Sequence, residues 1–342
     1  MKPLLSIVVT SRNDNHGGDA MKRMNIFLKG LIAQTNLHQF PCELIFVDWN
    51  PPADKPLLYE VLPTPSHSDY LKIKYVIVPP AIHHQLRNSH SIPLFQMIAK
   101  NVGIRRSSAD FILCTNIDLL FSSQIFEWIK SNALQKNIFY RANRCDVAST
   151  INESDSVAEQ LTFCENNIKK RLGMDPQMPY NPVKEHNKRM FKYGIWWPVQ
   201  QYAYLRSKKL LKEPYHIIKA LDADACGDFT LMHRDDWMLI KGYQELEMYS
   251  LHIDTIALMS ATAMGLTQTI LPKEACTYHL EHGDGWDTMD PLKKIRFYEN
   301  KPSLDWYSVT ELGEEMIRSK KLITVNKENW GYADQHFQEY II

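Results

Sequence analysis

The run Ala109-Asp-Phe-Ile-Leu-Cys-Thr-Asn-Ile-Asp118 ends an apolar stretch with two polar side chains spaced two residues apart. Side chains at i and i+2 of an extended chain share a side, so Asn116 and Asp118 are expected to face one site beyond a strand over 111–115. A carboxylate at the carboxyl end of a strand in an α/β sheet stands where ligands collect. Oxygen donors there suit a hard divalent cation bridging phosphates. The competing reading is an Asn and an Asp that merely open a surface turn. Far along the chain, His279-Leu-Glu-His282 offers imidazoles. It is not the H-E-x-x-H zinc pattern, and its spacing suits one ligand plus one supporting residue. Read as extended chain, His279 and Glu281 share a face while His282 points elsewhere. A hydrogen-bonded structural histidine is the plainer alternative.

These groups need a frame. Leu4 to Thr10 is almost continuously apolar, as a strand buried on both faces should be. A polar loop over 11–19 carries Gly17-Gly18, and Met24, Phe27, Leu28, Leu31 and Ile32 then recur at helical spacing over 21–34. Further strands are expected over 43–47 and 73–78, halted by Pro51-Pro52 and Pro79-Pro80. A helix over 93–105 and a strand over 110–115 follow. This alternation predicts a parallel, doubly wound sheet. Parallel strands ending at Thr10, Asp48 and Asn116 would gather Arg12, Asp14, Asp48, Asn50, Asn116 and Asp118 along one edge. So crowded a polar rim is costly as architecture alone but sensible around a nucleotide diphosphate. The helix before the fourth strand holds Asn101, Arg105 and Arg106, of which one arginine could meet phosphate or base.

Proline, asparagine and charge become frequent over 142–215, with a helical stretch over 157–172 and the aromatic run Tyr193-Gly-Ile-Trp196-Trp197-Pro198. This segment reads as a variable substrate-side insertion. Dense patterning returns over 222–286: strands over 227–233 and 267–271, a helix beginning at 235, and an apolar helix over 253–264 stopped by Gly265. The remainder, 291–342, reads as a C-terminal extension with a helix over 291–299.

At 342 residues the chain suits one large α/β domain or one with a sizeable elaboration. Lysine plus arginine and aspartate plus glutamate number 39 each, which excludes a bulk attraction to nucleic acid. No apolar stretch approaches the roughly 20 residues needed to span a bilayer, and the first apolar run is too short for a signal-peptide core. Six irregularly spaced cysteines without a C-x-x-C pair read as reduced near-core thiols of a cytoplasmic protein.

Leu4-Leu-Ser-Ile-Val-Val-Thr-Ser-Arg-Asn13, Leu44-Ile-Phe-Val-Asp48, Lys100-Asn-Val-Gly103 and the segment ending at Asp118 together resemble the amino-terminal half of a GT-A glycosyltransferase, most nearly the inverting family 2 type. Gly227-Asp-Phe, Gly242-Tyr-Gln-Glu245, His252-Ile-Asp254 and Tyr278-His279 are similar to the later half of the same fold in galactosyl- and N-acetylgalactosaminyl-transferases. The likeness covers roughly residues 4 to 125 and 222 to 286. It implies a Rossmann-like, mostly parallel central sheet flanked by helices, in a domain over 1–290 with a nucleotide-sugar-binding half over 1–125 and an acceptor and catalytic half over 222–286. The helical and loop insertion and the C-terminal helical tail would be additions to it.

By matching position, Asp48 would contact the base of a nucleotide sugar, with Thr10, Ser11, Arg12 and Asp14 nearby and Asn101, Arg105 and Asn116 completing the donor site. Asp118 would be the metal-binding carboxylate of the Asp-x-Asp motif, whose first position is Asn116 here, one charge fewer. His279 would complete the metal site, and imidazole favours Mn2+ over Mg2+. Asp254 would be the general base of an inverting transfer; a helix N-cap is its alternative role. Asp228 and Trp286 would meet the acceptor, and Trp196 and Trp197 could stack on sugar, although aromatic residues more often pack in cores.

The resemblance thus implies transfer of one sugar from a nucleoside diphosphate donor, UDP-sugar favoured, to a glycan or lipid-linked acceptor, as polysaccharide biosynthesis requires. A lipid-linked acceptor would bring the protein to the inner membrane face as a peripheral contact. Two other classes compete. A sugar-phosphate nucleotidylyltransferase would want a Gly-rich phosphate loop after the first strand, of which Ser11 to Gly18 is a weak version. A non-catalytic binding module on a decayed transferase fold would explain Asn116 and the absence of an acidic neighbour before Asp254.

Overall fold

A computed structural model of the chain describes residues 2–15, 17–64, 68–175, 177–188, 191, 217–282, 301–323 and 326–342. Its strands are β1 (Leu5–Ser11), β2 (Cys42–Trp49), β3 (Leu71–Val78), β4 (Phe111–Cys114), β5 (Leu119–Phe121), β6 (Ile138–Arg141), β7 (Arg144–Val147), β8 (Ile168–Leu172), β9 (Gln177–Tyr180), β10 (Thr230–His233), β11 (Thr267–Ile270), β12 (Thr277–Leu280) and β13 (Gln338–Ile341). The helices are α1 (Ala20–Leu37), the single turns α2 (Leu58–Val61) and α3 (Pro80–His83), α4 (Gln96–Arg106), α5 (Ser123–Ser131), α6 (Val157–Asn166), α7 (Arg234–Ile240), α8 (Ile253–Ala263) and α9 (Trp306–Ser319).

Nine strands form one mixed sheet in the order β13-β3-β2-β1-β4-β10-β6-β11-β9. The run β3-β2-β1-β4 is parallel throughout, and β10 then enters antiparallel between β4 and β6. Every residue of β1 and β2 is buried, which explains their largely apolar sequences. Alternation divides β1 between two cores. Leu5, Ile7 and Val9 pack with Met24, Phe27, Leu28 and Leu31 of α1, while Val8 faces the opposite cluster with Val102 and Ile104 of α4 and with α8. Helix α4 lies so close that a side chain at Gly103 would begin 2.4 Å from Val8 Cγ1. That close approach accounts for the glycine of Lys100-Asn-Val-Gly103.

A second sheet, β5-β12-β7-β8, stands beside the first. The stretch expected to be helical over 157–172 divides: α6 ends at Asn166, and Ile168–Leu172 becomes β8 because β7 offers it an antiparallel edge. The tail, expected as an extension, is bound into the core. Helix α9 packs against α8, where a side chain at Gly313 would collide with Met259, and β13 covers the edge of β3. All six cysteines are buried and free. Among the described residues no helix is long and apolar enough to cross a membrane. The run 193–198, the loop 283–286 with Trp286, and the helix expected over 291–299 lie outside the described residues.

Candidate functional site

Parallel register sets Ser11 beside Asp48 and Val8 beside Cys114, so β1, β2 and β4 end along one edge. Past that edge Thr10, Ser11, Arg12, Asp14, Asn116 and Asp118 line a single cleft of about 150 Å³, joined by Arg23, Gln96, Tyr249 and His282. Arg12 and Asp14 pair at 3.1 Å. The Thr10 hydroxyl donates to the Val47 carbonyl at 3.0 Å.

Asp118 sits immediately before β5, and β5 pairs antiparallel with β12, placing Leu119 opposite His279. The Leu280 N–H donates to the Asp118 carbonyl at 2.9 Å. This ladder closes the long sequence gap between the carboxylate and the imidazoles. Asp118 Oδ2 lies 3.6 Å from His279 Nε2 and 3.3 Å from His282 Nε2. One ligand atom from each of the three residues falls within 4.8 Å of the others. The expectation that His282 points elsewhere is therefore corrected. Strand β12 ends at Leu280, and beyond it the two-residue alternation no longer governs direction. His279 Nδ1 lies 3.1 Å from Asp146 Oδ1, because the parallel β12–β7 register sets those residues opposite each other. A carboxylate behind an imidazole fixes the ring, here with Nε2 toward Asp118.

Burial disfavours the charged forms in this cluster, but mutual attraction prevails. The two histidines hold the Asp118 carboxyl well below the usual carboxylate range. Burial lowers the His279 imidazole, yet the adjacent Asp118 and Asp146 carboxylates carry it up to about 9. Asp118 Oδ1 and His282 Nδ1 are nevertheless buried without a hydrogen-bond partner. Buried polar atoms are rarely left so, because each forfeits its hydration. One carboxylate oxygen and two imidazole nitrogens gathered this closely fit a divalent transition-metal ion such as Mn2+, which would displace the imidazole protons on binding.

Next to this cluster lies a network with a different character. Asn116 Oδ1 accepts from Lys100 Nζ at 2.8 Å and from Gln96 Nε2 at 2.7 Å, and its Nδ2 donates to Asp228 Oδ1 at 2.6 Å. Lys100 is wholly buried and donates also to the Gly227 carbonyl at 2.9 Å. Arg144 donates to Asp228 Oδ2 at 3.0 Å and to Asp146 Oδ1 at 2.6 Å. Both oxygens of Asp228, expected to hold an acceptor, are thus engaged within the protein.

Asp254 lies in the first turn of α8, where the helix dipole favours an anion. His252, not Asp254, occupies the N-cap position. Asp254 Oδ1 accepts from the Thr255 N–H at 2.9 Å. Its Oδ2 and the Asn116 amide nitrogen both approach Gly227: a side chain there would begin 2.9 Å from the first and 3.9 Å from the second. The carboxylate therefore flanks the Asn116 end of the cleft without lining it.

Three expected donor-site residues stand away from the lining. Asp48 is fully buried beneath it, accepting from the Leu58 N–H at 3.0 Å, and burial pushes its carboxyl up to about 6. Asn101 is consumed by the Gly242-Tyr-Gln-Glu245 turn: its amide meets the Tyr243 N–H and carbonyl, each at 2.8 Å, and Glu245 at 3.0 Å. Arg105 faces the tail, stacked 4.7 Å over Trp330 and bonded to the Glu328 carbonyl. The expectation that these last two meet a ligand in the cleft is corrected on that geometry. Sequence reading missed His282, Gln96, Asp146 and Arg144 as site residues, and saw Lys100 only within a motif. A lysine on an otherwise inward-facing helix surface was the one available signal.

The fold and site define an α/β protein with a carboxylate–imidazole cluster at the carboxyl edge of a parallel strand set. No known protein-family model matches the chain, and no curated protein matches it. Among solved structures, the crystal structure of GalNAc-T7 with UDP, GalNAc and Mn2+ aligns with 90% of this chain at 11% identity and a TM-score of 0.43. The chain spans about half the length of that protein, 50%. An overlap that loose assigns neither a substrate nor a mechanism, and the site's own geometry has to supply both.

Proposed function

We propose that this protein is a GT-A-type glycosyltransferase that moves one sugar from a nucleoside diphosphate donor, a UDP-sugar favoured, to a glycan or lipid-linked acceptor. The observation that carries the reading is the convergence of Asp118, His279 and His282 beside a cleft lined by Thr10, Ser11 and Arg12. A divalent cation held by the three side chains, Mn2+ favoured over Mg2+, would offset the charge that develops on the departing diphosphate. Asp254 takes the proton of the acceptor hydroxyl as its oxygen bonds to the anomeric carbon and the bond from that carbon to the diphosphate breaks. Attack from the face opposite the leaving group inverts the anomeric centre. Asp146 keeps the His279 ring oriented, and Gly227 leaves room for the Asp254 carboxylate.

A thermal-shift panel of UDP-, GDP-, CMP- and dTDP-sugars, with and without Mn2+, tests the donor class. A ligand at 100 times its dissociation constant adds roughly 2.7 kcal/mol to the native state. The reading expects a metal-dependent shift with one nucleotide class, and a flat panel overturns it. Asp254→Asn should abolish transfer while keeping that shift. Retained transfer would remove Asp254 from the chemistry. Pyrophosphate release from a nucleoside triphosphate and a sugar phosphate would instead favour the nucleotidylyltransferase alternative.

A further inference from the structure

Asn116 stands where the resemblance would place an acidic residue, and its surroundings determine what it can still do. A carboxamide has two acceptor lone pairs and two N–H donors. Lys100 and Gln96 occupy the oxygen, and Asp228 occupies one N–H. Lysine can only donate and an ionised aspartate can only accept, so the amide cannot be turned over without opposing both partners. One N–H therefore remains, on a residue that lines the cleft. Lys100 is well placed to hold it there: its ammonium is fully buried in α4, it donates to Asn116 and to the Gly227 carbonyl, and Gly103 one turn later lets the helix lie against β1.

We propose that Lys100 is a positioning residue that fixes the Asn116 amide as a hydrogen-bond donor toward the bound nucleotide, leaving the cation to Asp118, His279 and His282 alone. The inference rests on the transferase reading. It reverses the polarity of a carboxylate at this position, which would accept a hydrogen bond from its ligand. The group facing Asn116 is then a lone pair on the donor nucleotide, whether of a ribose oxygen or of a phosphate.

Isothermal titration with Mn2+ alone, and with UDP in saturating Mn2+, separates the outcomes in the full chain. Asn116→Ala should leave the Mn2+ affinity within about twofold and weaken UDP about fivefold, the worth of one net hydrogen bond. Asn116→Asp should weaken UDP at least as much, because it removes the N–H and adds charge beside Asp228. Lys100→Met should match the loss in Asn116→Ala, and the double variant should show no further loss, since the two act as one unit. Lys100→Gln, which keeps a donor, should recover most of the affinity, and it serves if the methionine variant does not fold.

Tighter UDP binding by Asn116→Asp overturns the proposal, as does a tenfold loss of Mn2+ affinity in Asn116→Ala or additive losses in the double variant. A wild-type protein that takes up Mn2+ but no nucleotide retires the transferase reading and overturns the donor role with it. The Asn116→Ala titration then still decides whether the cation is held without Asn116.

Discussion

Two polar groups meet at the strand edge, and they differ in how completely their hydrogen-bonding capacity is used. Around Asn116, the Lys100, Asp228 and Arg144 side chains engage one another and leave over one N–H of the Asn116 amide. Around Asp118, a carboxylate oxygen and an imidazole nitrogen are buried with no partner. A closed network stabilises geometry, and an open one leaves lone pairs for something that arrives later. Burial alone would not separate the two, because His279 and Lys100 are both inside. Unused valence does.

The largest expected effect comes from opening the closed network. Arg144→Met leaves Asp228 and Asp146 without their cation and should cost about 3–5 kcal/mol, the penalty for stranding a buried charge, read from urea denaturation. A loss under about 1 kcal/mol would show that solvent reaches the network and that the two regions differ less than their hydrogen bonds suggest. Asp48, beneath the same edge, tests the opposite sign. Burial raises its carboxyl to about 6, so the native state binds the proton more tightly than the unfolded chain does, and stability falls as pH rises from about 4 through 6. Asp48→Asn should therefore gain roughly 3 kcal/mol at neutral pH, with the gain vanishing below about pH 3, where both states are protonated. Equal destabilisation at both values would sink the assignment.

Breaking the open cluster should act chiefly on the cation. Asp118→Ala is expected to weaken Mn2+ by at least about 100-fold, measured by calorimetry, and an unchanged manganese isotherm would remove Asp118 from the site. The smallest change is indirect. Asp146→Asn frees the His279 ring and should cost about tenfold in Mn2+ affinity, with the urea midpoint shifting less than for Arg144→Met. If Asp146→Asn and Asp118→Ala lose the same affinity, the distinction between a ligand and the residue that orients one collapses.

How legible each region was depends on its physics. The strands β1, β2 and β4 were readable because burial on both faces demands a largely apolar sequence, β3 because its apolar run stops at prolines, and the polar ends of β1, β2 and β4 could be counted off as one rim. Thr10, Ser11, Arg12, Asp14, Asn116 and Asp118 do share a cleft. Asn101 and Arg105 were misplaced because helical periodicity does not say which neighbour a polar face will meet. Here the neighbours were the Tyr243 turn and the Trp330 segment. His282 was misread by extending a strand's alternation past Leu280, and 168–172 was read as helix because its pairing partner lies in β7.

From the sequence alone came the α/β class, the parallel strand ends and the identities of Asp118 and His279 as groups able to hold a cation. Tertiary structure decided what those groups do together. The antiparallel register of β5 with β12 carries Asp118 to the histidines, the β7 register puts Asp146 behind His279, and Lys100 turns Asn116 into a donor. Local periodicity encodes an element because it depends on neighbours a few residues away. Register between distant strands depends on packing across the whole sheet, and no short stretch of residues contains it.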